Sequence, residues 1–195
     1  MLDICKYFSF KSALCLGEKY DVNGSANHEI RVGSFAAAIF DETMGLHKLS
    51  EMYRNILCCS ALIHDIGYFV SKAKHHKHTR YIILNDSMLD AVPNSLRRSM
   101  AIIASSHRRN IDKGIKHYDR DECKKLKMLI SMLRISDALD SPHKKYTILD
   151  KIVLDKKHLT FYIDSSEFQK TLIKFNTKSK LFNDIFNIET RLEPK

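Results

Sequence analysis

The sequence predicts a mainly α protein: a helical bundle over residues 1–142, followed by a small α+β segment over residues 143–195. Three observations predict it. Apolar residues recur at steps of three and four through most of the first part, which is one face of a 3.6-residue period. Ser141-Pro142-His143 breaks the last of these stretches, because proline cannot continue a helix. Beyond it, apolar and polar residues alternate in two short runs around Lys156-Lys157, the signature of a β-hairpin.

Taken in chain order, Asn23-Gly24-Ser25 opens a helix whose inner stripe is His28, Val32, Phe35 and Ile39. A second stripe is Leu57, Ala61 and His64, with Gly67 expected to close that helix. Pro93-Asn94-Ser95 starts a helix carrying Leu96, Met100, Ile103 and His107. Residues 110–121, with Gly114 and mixed charge, read as an exposed loop expected to lie over the site. Leu126, Ile130, Leu133 and Asp137 make a fourth stripe. The second part predicts strands at 151–155 and 158–164, helices near 167–175 and 178–186, and a last strand at 188–192. So small a sheet must have one face covered, so it is expected to pack on the bundle or on a second chain.

Composition bounds the function. A chain of 195 residues can bury a real core, and its net charge of +9 favours anionic partners. The sequence contains no arginine-rich tail, aromatic RNA-binding motif or zinc finger, so nucleic acid is not favoured. Cys5, Cys15, Cys58, Cys59 and Cys123 are odd in number and form no CxxC pair, which predicts reduced thiols in a cytoplasmic protein. No stretch approaches the roughly 18 apolar residues of a membrane span.

His64 and Asp65 stand side by side near the end of the apolar run 56–67, in the company of His28, the cluster His75-His76-Lys77-His78, His107 and Asp137. Each alone has an ordinary reading as a satisfied core histidine or a helix-terminal group. Together they place ionisable groups on four apolar stripes. An unsatisfied buried polar group costs roughly 2–7 kcal/mol, and a charge costs more. A shared cation removes that cost. Histidine nitrogen with aspartate oxygen and no paired thiolate suits Mn, Fe, Mg, Zn, Co or Ni better than a structural zinc.

The ordered pattern His28, His64-Asp65, Asp137 resembles the HD-domain superfamily of metal-dependent phosphohydrolases. More narrowly, Asn27-His28-Glu29-Ile30-Arg31-Val32, Ala61-Leu62-Ile63-His64-Asp65-Ile66-Gly67-Tyr68, the stretch from His75 to Ile83, and Leu133-Arg134-Ile135-Ser136-Asp137-Ala138-Leu139-Asp140 are similar to the C-terminal HD domain of exopolyphosphatase and guanosine pentaphosphate phosphohydrolase proteins. The resemblance implies a metal set of His28, His64, Asp65 and Asp137. In members with two metals it adds His75 and His107, with His76 and His78 competing for the place of His75, and makes Asp65 a bridge. Many members depart from the pattern, whereas here it is intact. Nothing in these residues resembles the actin-like domains that carry the polyphosphate-cleaving site, so any activity is expected from the HD residues themselves. The resemblance also implies a C-terminal part that contributes to a homodimer.

The expected chemistry follows from the site type. One or two divalent ions would lower the pKa of a bound water and stabilise charge on phosphoryl oxygens. Asp65 would hold the metal and orient the nucleophile, and whichever of His75, His76, His78 and His107 is not ligated would supply a proton, with His75 and His107 the leading candidates. Lys74, Lys77, Arg108 and Arg109 flank these motifs and are candidate phosphate binders, each with the plainer reading of a solvated surface charge. The expected function is hydrolysis of a phosphate ester or anhydride, nucleotide-like or polyphosphate-like. The alternative is a non-catalytic sensor binding a phosphorylated ligand in the same metal pocket, and a purely structural module would hold no metal.

Overall fold

The computed structural model describes residues 4–21, 27–108, 110–140 and 147–195. The helix-opening Asn23-Gly24-Ser25, the helix-breaking Ser141-Pro142-His143, the expected division after Pro142 and the candidate phosphate binder Arg109 lie outside these residues.

Helix α1 (Phe10–Lys19) begins at Ser9, whose hydroxyl accepts the Ser12 N–H at 3.1 Å. Helix α2 (Asn27–Glu42) buries Val32, Phe35, Ala36, Ile39 and Phe40, the stripe its spacing predicts. After the short α3 (Met44–His47), α4 (Glu51–Leu62) is buried without interruption from Asn55 onward. Helices α5 (His75–Asn85) and α6 (Asn94–Ser105) follow and pack on each other.

Helix α7 (Arg120–Leu139) is the axis of the molecule. Asp119 caps it, accepting the Glu122 N–H at 2.8 Å, and every residue from Met128 to Leu139 is buried. A helix buried on all sides needs neighbours on all sides. Helices α2, α4 and α6 pack against it, and so do α8 (Phe168–Lys178) and α9 (Lys180–Phe186) from the C-terminal part.

The sheet has strand order β1 (Thr147–Leu154), β2 (His158–Ser165), β3 (Glu189–Pro194). Strands β1 and β2 pair antiparallel from Thr147↔Ser165 to Leu154↔Leu159, and β3 joins β2 in parallel from His158↔Glu189 to Ile163↔Pro194. The first strand is longer than the spacing predicts, because the register shifts between Leu149 and Lys151. That bulge breaks the apolar alternation on which a strand is recognised. Leu159, Phe161 and Ile163 turn one face of β2 inward, and the Phe161 ring meets Phe175 of α8 edge-on at 5.3 Å. The fold is thus mainly α with a small α+β part, and that part packs on the bundle through α8 and α9 on α7 and β1 on α2.

Residues 110–121 are mostly exposed, as expected, but are not a plain loop. They form a 3-10 turn (Lys113–His117) that buries Ile115, and they enter α7 at Arg120. Asp112 fastens the turn by accepting from Gly114 N at 2.7 Å and from the Ser105 hydroxyl at 3.1 Å. Among the described residues no helix is long and apolar enough to cross a membrane, and no disulfide joins the cysteines.

Candidate functional site

The spacing sets His64 and His107 on helices. The structure places both two residues past the helix ends, in the turns that follow the last residues of α4 and α6, Leu62 and Ser105. There the carbonyls of a helix end lack N–H partners. His64 Nδ1 donates to Ala61 O at 2.7 Å, and His107 Nδ1 donates to Ala104 O at 2.6 Å. His75, the first residue of α5, turns Nδ1 toward Lys72 O at 3.3 Å. His28, in the first turn of α2, faces Asp140 Oδ2 with Nδ1 at 2.7 Å. Asp140 is itself clamped by Arg31, which donates Nε–H to Oδ1 at 2.5 Å and a second N–H to Oδ2 at 2.9 Å.

All four Nδ1 atoms therefore face groups that only accept. In the neutral ring the proton sits on Nδ1 and the lone pair on Nε2, the tautomer in which a histidine can ligate a cation through Nε2. These nitrogens converge on Asp65. Its Oδ2 lies 3.5 Å from His64 Nε2 and 3.9 Å from His28 Nε2, while its Oδ1 lies 3.2 Å from His75 Nε2 and 3.4 Å from His107 Nε2. Asp137 Oδ1 joins the first group, 3.8 Å from His28 Nε2. Atoms about 2.1 Å from one cation stand about 3–3.5 Å from each other, so these separations suit cation ligation. Two triads can hold an ion, His28 with His64 and Asp65, and Asp65 with His75 and His107.

Two further observations test the fit. His64 Nε2 and Asp65 Oδ1 are buried and have no hydrogen-bond partner among the described residues, a rare condition that an ion relieves. His75 Nε2 and His107 Nε2 stand 2.9 Å apart. With both protons on Nδ1 these are two lone pairs face to face, an arrangement that a shared cation makes favourable. The residues present fit one or two divalent ions.

Electrostatics point the same way. Burial pushes the Asp65 carboxyl up, but His64, His75 and His107 outweigh it and hold the group well below the ordinary carboxylate range. Burial likewise opposes ionisation of Asp137, and Lys178 leads the groups that overcome it and hold that carboxyl low. Burial drives the His107 imidazole down to about 3, against the opposing pull of Asp65. Tyr68 is raised, first by burial and then by Asp65, and its ring stacks on His75 with centroids 4.0 Å apart.

A cleft of about 320 Å³ opens onto this centre. One wall carries Asp65, Tyr68, His75, His107, Arg108 and Asp137. The other is α8, through Ile173, Lys174, Thr177 and Lys178, and Lys178 donates to Asp137 Oδ2. Of the cations flanking the sequence motifs, Arg108 lines the cleft. Lys74, just before α5, and Lys77 on it are exposed, His76 and His78 are half-buried, and none of the four lines the cleft. Nor does any described residue of 110–121, so the cover expected of that stretch comes from α8. Sequence reasoning missed Tyr68 and all of α8. The available signal was the pairing of Lys174 with Lys178 and of Ile173 with Thr177, each four apart on one helical face.

With this geometry in view, residues 10–183 match the model of the family described as Ppx/GppA phosphatase, domain III. The chain belongs to this family. Comparison with curated proteins gives no match. The Ppx/GppA domain III span includes every residue of the centre, from His28 to Asp137, and the whole cationic wall up to Lys178.

In this Ppx/GppA domain III chain the approach of α5 to the centre depends on Gly67. Expected as a helix stop, Gly67 instead lies within the 3-10 turn Ile66–Phe69, after α4 has already ended. A Cβ there would collide with the His75 carbonyl and the Thr79 amide, and would stand 2.8 Å from Thr79 Oγ1. Thr79, fully buried, accepts the Gly67 N–H at 3.0 Å and donates to His64 O at 2.9 Å. One hydroxyl thus ties the turn bearing His64 and Asp65 to the helix bearing His75.

Proposed function

We propose that the chain is an HD-type metal-dependent phosphohydrolase domain that cleaves a phosphate ester or anhydride, nucleotide-like or polyphosphate-like, with one or two divalent ions. The observation that carries this reading is Asp65, whose two oxygens face two separate pairs of Nε2 atoms. His28, His64, Asp65 and Asp137 would hold one ion, and Asp65, His75 and His107 a second. Nitrogen and oxygen donors without thiolate suit Mn, Fe, Mg, Zn, Co or Ni. When bound, such an ion supplies a nucleophile near neutral pH and offsets charge on the phosphoryl oxygens.

The protein groups do the rest. The helix-end carbonyls and Asp140 fix the Nδ1 protons, so the rings cannot turn away. Asp65 stays ionised in spite of burial and can orient a water in the cleft. Tyr68 and Arg108, both lining the cleft, can donate to phosphoryl oxygens. Family membership supports a phosphatase setting. A hydrolysis screen over nucleotides, cyclic nucleotides, dinucleoside polyphosphates and inorganic polyphosphate, each with added Mn, Mg, Fe, Co, Ni or Zn, tests the proposal. Turnover lost in Asp65→Ala is the expected result.

A second reading, a non-catalytic sensor of a phosphorylated ligand, draws support from the cleft's cations Arg108, Lys174 and Lys178, which suffice for binding alone. Binding without turnover across the whole screen would select it.

A further inference from the structure

Lys178 stands at the last residue of α8 and reaches Asp137, 41 positions earlier in the chain. Asp137 divides its oxygens between two neighbours. Oδ1 lies 3.8 Å from His28 Nε2, and Oδ2 accepts from the Lys178 ammonium. An ammonium has three N–H donors and no acceptor, so the bond to Oδ2 leaves two others. The Lys178 side chain is 25% exposed and lines the cleft, which is where those donors can find an acceptor. Lys174 and Thr177 line the same cleft from the preceding turn of α8, and Arg108 lines it from the turn beside His107. Of the carboxylates in the lining, Asp137 accepts from Lys178, and Asp65 faces the histidines. The two donors left on Lys178 therefore call for an anion in the cleft.

Resting on the function proposed above, we infer that α8 is the phosphate-binding wall of the site, with Lys178 holding the substrate's phosphate group while it orients Asp137. A lysine suits the double task. Its ammonium is a compact charge whose donors can be shared between a carboxylate and a phosphate, whereas the planar fork of arginine favours one bidentate partner. The site is then assembled from two distant parts of the chain, the ion-holding residues from 28 to 137 and the anion wall from α8.

The test uses the full chain saturated with Mn²⁺ and inorganic orthophosphate as the probe, with affinity read by calorimetry and metal content by elemental analysis. Removing a charge-assisted donor should weaken orthophosphate about tenfold or more in Lys178→Met and Lys178→Gln. Lys178→Arg keeps the charge but not the shared donors, and should weaken orthophosphate less than Lys178→Gln does. Lys178→Met leaves Asp137 buried without its cation and can fail to fold. Lys178→Gln retains an N–H for Oδ2 and keeps the test decisive. Orthophosphate affinity unchanged in the glutamine variant at full Mn²⁺ occupancy overturns the inference, even if its Mn²⁺ affinity falls, since that pattern belongs to a purely structural lysine. Should wild type turn over substrate while the glutamine variant keeps its phosphate affinity, this inference alone falls. A wild type that neither holds metal nor hydrolyses anything removes the proposed function and this inference with it.

Discussion

Asp65 faces two groups of histidines with one carboxylate, so under the function proposed its loss should empty both ion positions together. Asp65→Ala is expected to reduce transition-metal content after gentle purification to background by elemental analysis; wild-type content in that variant would reject the ligand role. Asp140 acts at one remove, fixing the His28 ring through Nδ1 while Arg31 clamps it. Groups of this kind typically alter metal affinity about 10–100-fold, and Asp140→Ala should weaken Mn²⁺ binding by that order in a direct titration. An affinity within about twofold of wild type would show that the His28 ring is held by other means. Away from the site, His47 makes a pH-dependent contribution. Its Nε2–H donates to Phe40 O at 2.9 Å and its Nδ1 accepts the Leu49 N–H at 2.8 Å, so the neutral ring is satisfied at both nitrogens. Burial lowers its pKa, outweighing the Phe40 carbonyl and Asp41. Unfolded, it titrates near about 6.5, so below that pH the unfolded chain binds a proton that the folded chain does not. The contribution of His47 is therefore present above about pH 6.5 and lost as pH falls toward the lowered folded value. Wild type should lose more stability to urea than His47→Gln between about pH 7.5 and about pH 5.5, and parallel losses would contradict the assignment.

At the scale of elements, the site depends on where helices stop and how closely they approach. Helices α4 and α6 each end in a turn whose histidine satisfies a carbonyl three residues back, so the same bond that terminates the helix aims the ring. The approach of α5 to the turn after α4 is set by Gly67 and Thr79. Because the obstacle to a side chain at Gly67 is backbone, Gly67→Ala cannot be relieved by a rotamer change. It should destabilise the fold by about 3 kcal/mol, the upper range for overpacking, and displace His75 with α5. Urea denaturation reads the first effect and Mn²⁺ titration the second. Ordinary stability in Gly67→Ala would mean that the turn can move away from α5.

At the scale of the molecule, α7 carries Asp137 and accepts packing from both parts of the chain. Truncation after Pro142 would uncover the surface of α7 that α8 and α9 cover, and would take Lys178 from Asp137. Exposed apolar surface promotes association, and an uncompensated buried carboxylate destabilises. The shortened chain is expected to associate by light scattering and to melt at a lower temperature than the full chain. A monodisperse fragment with unchanged melting would show that the C-terminal part is a separate unit.

The sequence by itself determined the mainly helical class, the hairpin and the inner stripes, because helix and strand periodicity is a property of near neighbours along the chain. It also singled out His28, His64, Asp65, His107 and Asp137, since ionisable residues on apolar stripes stand out without knowledge of the fold. Only the tertiary structure shows which of His75, His76 and His78 faces Asp65. Successive residues on a helix point about 100° apart, and the phase of α5 is set by its contact with Gly67 and Thr79, so that His75 Nε2 meets Asp65. The same holds for β1, whose bulge hides its alternation, and for residues 110–121, whose polarity suggests a loop although Ile115 anchors a 3-10 turn. Lys178 is the clearest case. Its spacing of four from Lys174 marks a helical face but names no partner, and its meeting with Asp137 exists only because α8 packs on α7.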